Sequence, residues 1–423
     1  MALPRADFVL YNVGVLYSCA GPAPRRGTAM RDLAPIEGAA VAARSGRIVY
    51  AGPEKDLPEH ADLPRDTVAR DARGRAVLPG FVDAHTHLLY AGNRLPELRE
   101  RMAGVTYQEI AARGGGILST VTKTREASIS ALVEQTRPRL DLMLACGTTT
   151  VEAKSGYGLT TESEVKMLES LRELRRTHPL DLVPTFLGAH EVPVEYRQNR
   201  AGYLNLLLEE MLPRVSAAGL AEWCDVFCEV GVFSVEETRR ILARARELGL
   251  KLRLHADEFA SSGGAELAVE LSARSADHLM RVSPEGIRAL ARSTTAATLL
   301  PIASFYLQQA FAPARALVDE GAVVALGTDL NPGGGLSPSM PFAMTLASLG
   351  AGLALEESIL AATVNAAYSL DRSREVGSLE VGKKMDAVVL SERDPACLLG
   401  VDTGAIDTVI KEGRVVAEGG SRV

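Results

Sequence analysis

From residue 76 onward the chain keeps returning to one pattern: a short apolar run, a polar turn, then a longer stretch of helical periodicity. The apolar runs are "AVLPGFVDAH" (76–85), "TTTVEAK" (148–154), "LDLVPTFLGAH" (180–190), "CDVFCEVG" (224–231), "LKLRLHADE" (250–258), "SADHL" (275–279), "TAATLLPIAS" (295–304) and "AVVALGTDLN" (322–331). Helical stretches between them include "SEVKMLESLRELRRTH", "SVEETRRILARARELG" and "SPEGIRALARS", the last with a Ser-Pro helix start. Eight strands alternating with helices predict an α/β fold, either a closed (β/α)8 barrel or an open doubly wound sheet. Ionisable residues recur at the C-terminal ends of the strands throughout the series, which is where a barrel builds its active site. The barrel is the expected fold.

The two chain ends have a different rhythm. "FVLYNVGVLYS", "AAVAARSGRIVYAG", "GKKMDAVVLS" and "AIDTVIKEGRVVAEGG" alternate apolar and polar residues over short spans bounded by Gly turns. They predict a small β-sandwich domain made of residues 1–73 and 373–423, beside a barrel over 74–372. "RGGGI" (113–117) and "VTKTREAS" (121–128) are expected to form a mobile loop, since three consecutive glycines cannot hold an element interior.

Composition narrows the function classes. The chain has 423 residues, 47% hydrophobic and 23% charged, as in soluble globular proteins. A net charge of −7 without any long Lys/Arg run argues against nucleic-acid binding. Five scattered cysteines (Cys19, Cys146, Cys224, Cys228, Cys397) suit a reducing compartment, and Cys224 and Cys228 read as buried apolar residues. The apolar "FVLYNVGVLYSCAG" is interrupted by Asn12 and comes just after Asp7, so a strand pair and a cytoplasmic protein are expected rather than a signal peptide. No run of eighteen apolar residues predicts a membrane span.

Strand ends carry the chemistry. His85 and His87 close the first run, and strand alternation places both side chains on one face. His255 ends the fifth run with Glu258 three residues on, His278 ends the sixth, and Asp329 comes after the eighth. Taken singly, each histidine could be a satisfied core residue and Asp329 a turn cap. Together, His85, His87, His255 and Asp329 form a ligand set suited to Zn(II) or Fe, with room left for water.

"PGFVDAHTH", the strand-five and strand-six histidines and the strand-eight aspartate resemble the amidohydrolase superfamily. "HTHLLYAGNR", "VEAKSGYGL", "FLGAHEVP", "HADEF", "GGAELAVELSARSADHL" and "LGTDLNPGG" resemble, over nearly the whole chain, the branch that opens the ring of 4-imidazolone-5-propanoate in histidine breakdown. That resemblance implies one Zn(2+) or Fe(3+) ion per chain and a water that attacks the ring carbonyl to yield N-formimidoyl-L-glutamate. It implies that Asp329 takes the water's proton, that His278 faces the developing oxyanion, and that Glu258 passes a proton toward the leaving nitrogen. Arg94 would hold the substrate carboxylate, with Tyr107, Tyr157, His190, Glu258, Asn331 and Gly333 as further substrate contacts. Without the resemblance Arg94 would read as a surface charge and Tyr157 as a packed loop aromatic.

Many relatives hold two metals bridged by a carboxylated lysine at the end of strand four. Here that strand ends in Cys228 and Glu229, and the nearest lysine, Lys154, ends strand two. One metal is expected, with a Glu229 bridge as the competing arrangement. Gly334 and Gly335 stand where the family usually has a hydroxyl residue, so a contact is lost there or comes from backbone N–H or Ser337. The implied partner is a small carboxylate-bearing molecule, with a homodimer compatible and no nucleic acid or membrane. The rival readings are another cyclic amidohydrolase or aminohydrolase, such as a hydantoinase or guanine deaminase, and a non-catalytic scaffold, which need not keep its ligands.

Overall fold

The computed structural model describes residues 3–106, 109–110, 113–400 and 403–423. Eight parallel strands run in sequential order: β1 (Phe81–Asp83), β2 (Thr148–Lys154), β3 (Asp181–Ala189), β4 (Trp223–Cys228), β5 (Lys251–Ala256), β6 (Ser275–His278), β7 (Ala296–Leu299) and β8 (Val323–Leu326). Backbone hydrogen bonds join the last strand to the first. The Asp329 N–H donates to the His85 carbonyl at 3.0 Å, and the His87 N–H to the Leu330 carbonyl at 2.9 Å. A (β/α)8 barrel results, with sequential neighbours and helical crossovers.

The helices form where apolar spacing and caps coincide. In Val235–Glu247, Thr238, Ile241, Leu242 and Ala245 are buried at helical spacing. Ser234 caps that helix's start by accepting from the Glu237 N–H, while the Glu237 carboxylate accepts from the Ser234 N–H. Ser283 likewise caps Pro284–Ala291. Among the described residues no helix is long and apolar enough to cross a membrane.

Both chain ends contribute to a second, mixed sheet of nine strands. Its N-terminal part is Phe8–Tyr17, Pro35–Arg44, Arg47–Pro53 and Val68–Asp71, and its C-terminal part Ala387–Leu390, Ile406–Lys411, Arg414–Glu418 and Ser421–Arg422. The parts meet at Ala76–Pro79, parallel to Phe8–Tyr17 on one side and antiparallel to Ala387–Leu390 on the other. The expected first barrel strand is therefore two strands. Residues 76–79 belong to the mixed sheet, Gly80 is the passage, and only Phe81–Asp83 enters the barrel. A Cβ at Gly80 would lie 2.4 Å from the Thr149 side chain, so the crossing needs a residue without one. The sheet curls back on itself, pairing Arg47 with Lys384 and enclosing a core of Phe8, Leu10, Val41, Ile48, Met385 and Val389.

The expected loop at "VTKTREAS" is corrected as well. Ile117–Glu126 is a helix that buries Thr120, Val121 and Thr124, and the Thr124 hydroxyl accepts from the Ala91 N–H at 3.2 Å. The glycines act only as its entry, Gly116 preceding it at φ +69°.

Candidate active site

The barrel's C-terminal rim brings the predicted histidines together. His85 and His87 lie just past β1, and alternation turns both inward while the Thr86 hydroxyl donates to the Glu152 carbonyl at 2.6 Å. His87 Nε2 is 3.3 Å from His85 Nε2 and 3.2 Å from His255 Nε2. Asp329 Oδ1 stands 3.7 and 3.5 Å from the Nε2 atoms of His85 and His87, with no hydrogen-bond partner. Burial holds His85 and His87 well below their ordinary pKa and lifts Asp329 to about 7.

Three imidazoles whose Nε2 lone pairs converge cannot satisfy one another. A cation can. Among the described residues His87 Nδ1 has no hydrogen-bond partner, but the other two outer nitrogens are already oriented, since His85 Nδ1–H donates to Asp277 at 2.7 Å and His255 Nδ1–H to Asp225 at 3.0 Å. That leaves both Nε2 atoms as acceptors, the state in which imidazole binds a metal. The donor set fits one metal ion, with Asp329 beside it.

The rim turns that aim these groups adopt left-handed backbone at non-glycine residues: Asp257 at φ +51°, His278 at +77°, Leu279 at +63° and Asp329 at +51°. Such turns are costly and cluster where a side chain must be aimed. The Asp257 carboxylate accepts from the N–H groups of Ser262, Gly263, Gly264 and Ala265, fixing the turn that brings Glu258 inward. Glu258 lies 3.7 Å from His278 Nδ1. Burial raises its pKa well above the carboxylate range, helped by Asp329 and Glu229, so it stands ready as a proton donor. Neither His278 ring nitrogen has a hydrogen-bond partner among the described residues.

The same cavity is lined by Arg94, Tyr157, His190 and Asn331, with Ile117, Phe227, Phe259 and Leu307 as apolar walls. Arg94 is 6% exposed, and its Nε and Nη1 find no acceptor among the described residues. This buried cation excludes the surface-charge reading. His190 stacks on His87 with ring centroids 4.8 Å apart, and its Nδ1–H donates to the Gly156 carbonyl at 2.9 Å. Burial lowers its pKa to about 3, so the ring is neutral. Tyr157 is buried 5.3 Å from the His190 ring. Tyr107 lies outside the described residues.

Asn331 and Gly333 serve the loop after β8. Asn331 Oδ1 accepts from the N–H groups of Gly333 (2.8 Å) and Gly334 (2.6 Å), and its amide nitrogen donates to the Asp329 carbonyl. Gly333 has both backbone groups engaged, its carbonyl accepting from Arg101 at 2.5 Å. Any Cβ at Gly333 would lie 2.3 Å from the Arg94 guanidinium carbon, so this glycine makes room for Arg94. Gly335 is likewise constrained, its Cβ position being 2.0 Å from the Asp329 carbonyl oxygen. Gly334 faces the cavity with 3.6 Å of clearance. The Ser337 hydroxyl accepts from the Ser339 N–H at 3.3 Å, and Ser337 is not among the residues lining the cavity.

Asp225, Asp277 and Arg253 had no role in the sequence reading, and Lys154 entered it only as a lysine on the wrong strand to bridge two metals. Each is fully buried inside the barrel. Their signal is a charged residue inside an otherwise apolar parallel strand.

A sequence profile of the amidohydrolase family matches residues 76–416. The imidazolonepropionase of Symbiobacterium thermophilum is 51% identical over 417 residues, covering 98% of each chain. The chain belongs to the amidohydrolase family, among its imidazolonepropionases. A second such relative of this amidohydrolase, from Clostridium tetani, is 44% identical over 98% of this chain and 99% of its own. The fold is shared more widely. A zinc-bound adenosine deaminase from Xanthomonas campestris superposes with a TM-score of 0.70 at 18% identity, covering 100% of this chain and 95% of that one.

Proposed function

We propose that this amidohydrolase hydrolyses the ring C–N bond of 4-imidazolone-5-propanoate to give N-formimidoyl-L-glutamate, with one bound Zn(II) or Fe ion. The observation that carries the reading is one cavity lined by His87 and His255, whose imidazoles converge with that of His85 beneath, and by Arg94, whose Nε and Nη1 have no acceptor among the described residues. Held by those histidines and Asp329, the metal supplies a water acidic enough to react near neutral pH. Arg94 binds the propionate and thereby turns the ring carbonyl toward the histidine cluster. Asp329 accepts the proton of the attacking water. His278 donates to the carbonyl oxygen as charge develops there. Glu258, beside His278, delivers a proton to the departing ring nitrogen. Neutral His190 and Tyr157 pack the ring from the β2–β3 side.

Hydrolysis of a neutral ring, as by a hydantoinase or guanine deaminase, would leave the Arg94 donors buried and unpaired, a penalty that selects against such substrates. The test is turnover of freshly generated imidazolonepropionate, monitored by loss of ring absorbance, beside hydantoin and guanine. Selective loss of the imidazolone signal is expected. Equal or greater turnover of either neutral ring refutes the assignment.

A further inference from the structure

Beneath the histidines lies a layer of charge that the proposed reaction does not consume. Lys154 Nζ sits between two carboxylates, 2.8 Å from Glu152 Oε1 and 2.7 Å from Asp225 Oδ2, and all three side chains are fully buried. Each carboxylate reaches a different part of the histidine cluster. Asp225 Oδ1 accepts from the His255 ring at 3.0 Å and from the His255 backbone N–H at 3.2 Å. Glu152 Oε2 accepts from the backbone N–H of Thr86, the residue between His85 and His87, at 3.1 Å. The Lys154 backbone N–H donates to the Thr86 carbonyl as well.

We infer that Glu152, Lys154 and Asp225 form a positioning unit for the metal centre, with Lys154 as the hub that sets His255 against the His85–His87 pair. The inference rests on the metal-dependent reading above. His85 and His87 come directly after β1, while His255 ends β5, four strands away around the barrel. Those strands are not neighbours in the sheet, so side chains crossing the interior add a direct link between the two sets of histidines. The ammonium fixes the plane of each carboxylate, and each carboxylate fixes one side of the cluster. A neutral apolar trio of similar volume would avoid the desolvation of three charges. Packing alone therefore does not account for an ion triad here.

The test is Zn(II) affinity of metal-stripped protein, measured by chelator competition, together with the visible spectrum of the Co(II)-loaded form. Lys154→Met is expected to weaken Zn(II) binding about 10- to 100-fold and to alter the Co(II) spectrum while the apo fold persists. Should that variant fail to fold, the all-neutral Glu152→Gln/Lys154→Met/Asp225→Asn protein leaves no buried charge unpaired. It is expected to fold and to show at least the same loss. Wild-type affinity and spectrum in whichever folded variant is measured overturn the inference and leave the proposed function standing. Failure of the wild type itself to bind a metal removes both.

Discussion

Arg94 is a sharp test of substrate recognition, because its cost and its use can be separated. In the free protein its guanidinium is buried, and Nε and Nη1 have no acceptor among the described residues. The fold therefore bears a desolvation penalty at this position without compensation from protein groups. Replacing Arg94 with Met keeps the aliphatic stem, and thermal stability should be unchanged or raised. Catalysis should respond oppositely. A substrate carboxylate losing a forked partner in a partly dry site costs about 2–4 kcal/mol, about 30- to 900-fold in kcat/KM. The propionate is remote from the reacting carbonyl, so a substantial share of the loss should be in KM. The assay is decay of ring absorbance with imidazolonepropionate and with the same ring bearing an uncharged side chain of equal length. Wild type and Arg94→Met should converge on the uncharged analogue. A variant that matches wild type on both substrates, or loses equally on both, refutes the role.

Glu258→Gln should retain the metal and the fold yet lower kcat by about 10²–10⁴, since the amide cannot deliver a proton; loss of metal in that variant would make Glu258 a ligand instead. Elemental analysis of dialysed protein should approach one equivalent of zinc or iron per chain. Glu229→Gln should keep that equivalent, because Glu229 accepts from the Phe259 N–H at 2.8 Å and the Val230 N–H at 2.7 Å, and a plateau at two equivalents would contradict this. Far from the site, hydrogen bonds from Arg200 and Ser234 hold the Glu237 carboxyl down at about 2 instead of 4.5. Its contribution, about 1 kcal/mol, should be present above pH 4.5 and fade as pH falls toward 2. The urea midpoints of wild type and Glu237→Gln should accordingly converge on acidification, and a gap that widens would reverse the sign of the argument.

Much of this protein was legible without coordinates. Strand and helix periods are local, imposed by burying one face of each element, so eight strands and their helices could be read from spacing alone. His85, His87, His255, His278, Glu258 and Asp329 were visible because every parallel strand carries the residues at its C-terminal end to the same rim of the barrel. Three things were decided only in the tertiary structure. "AVLPGFVDAH" reads as one apolar run, and nothing in its period shows that its first half pairs with Ala387–Leu390 while its second half enters the barrel. The burial of Arg94 depends on Gly333, more than two hundred residues away, leaving space for the guanidinium. The ion pairs Lys154–Asp225 and Arg253–Asp277 join residues on four strands. Hydrophobic period reports which face of an element is buried. Which charged groups meet on that face is set by strand order and register, and only the closed barrel supplies both.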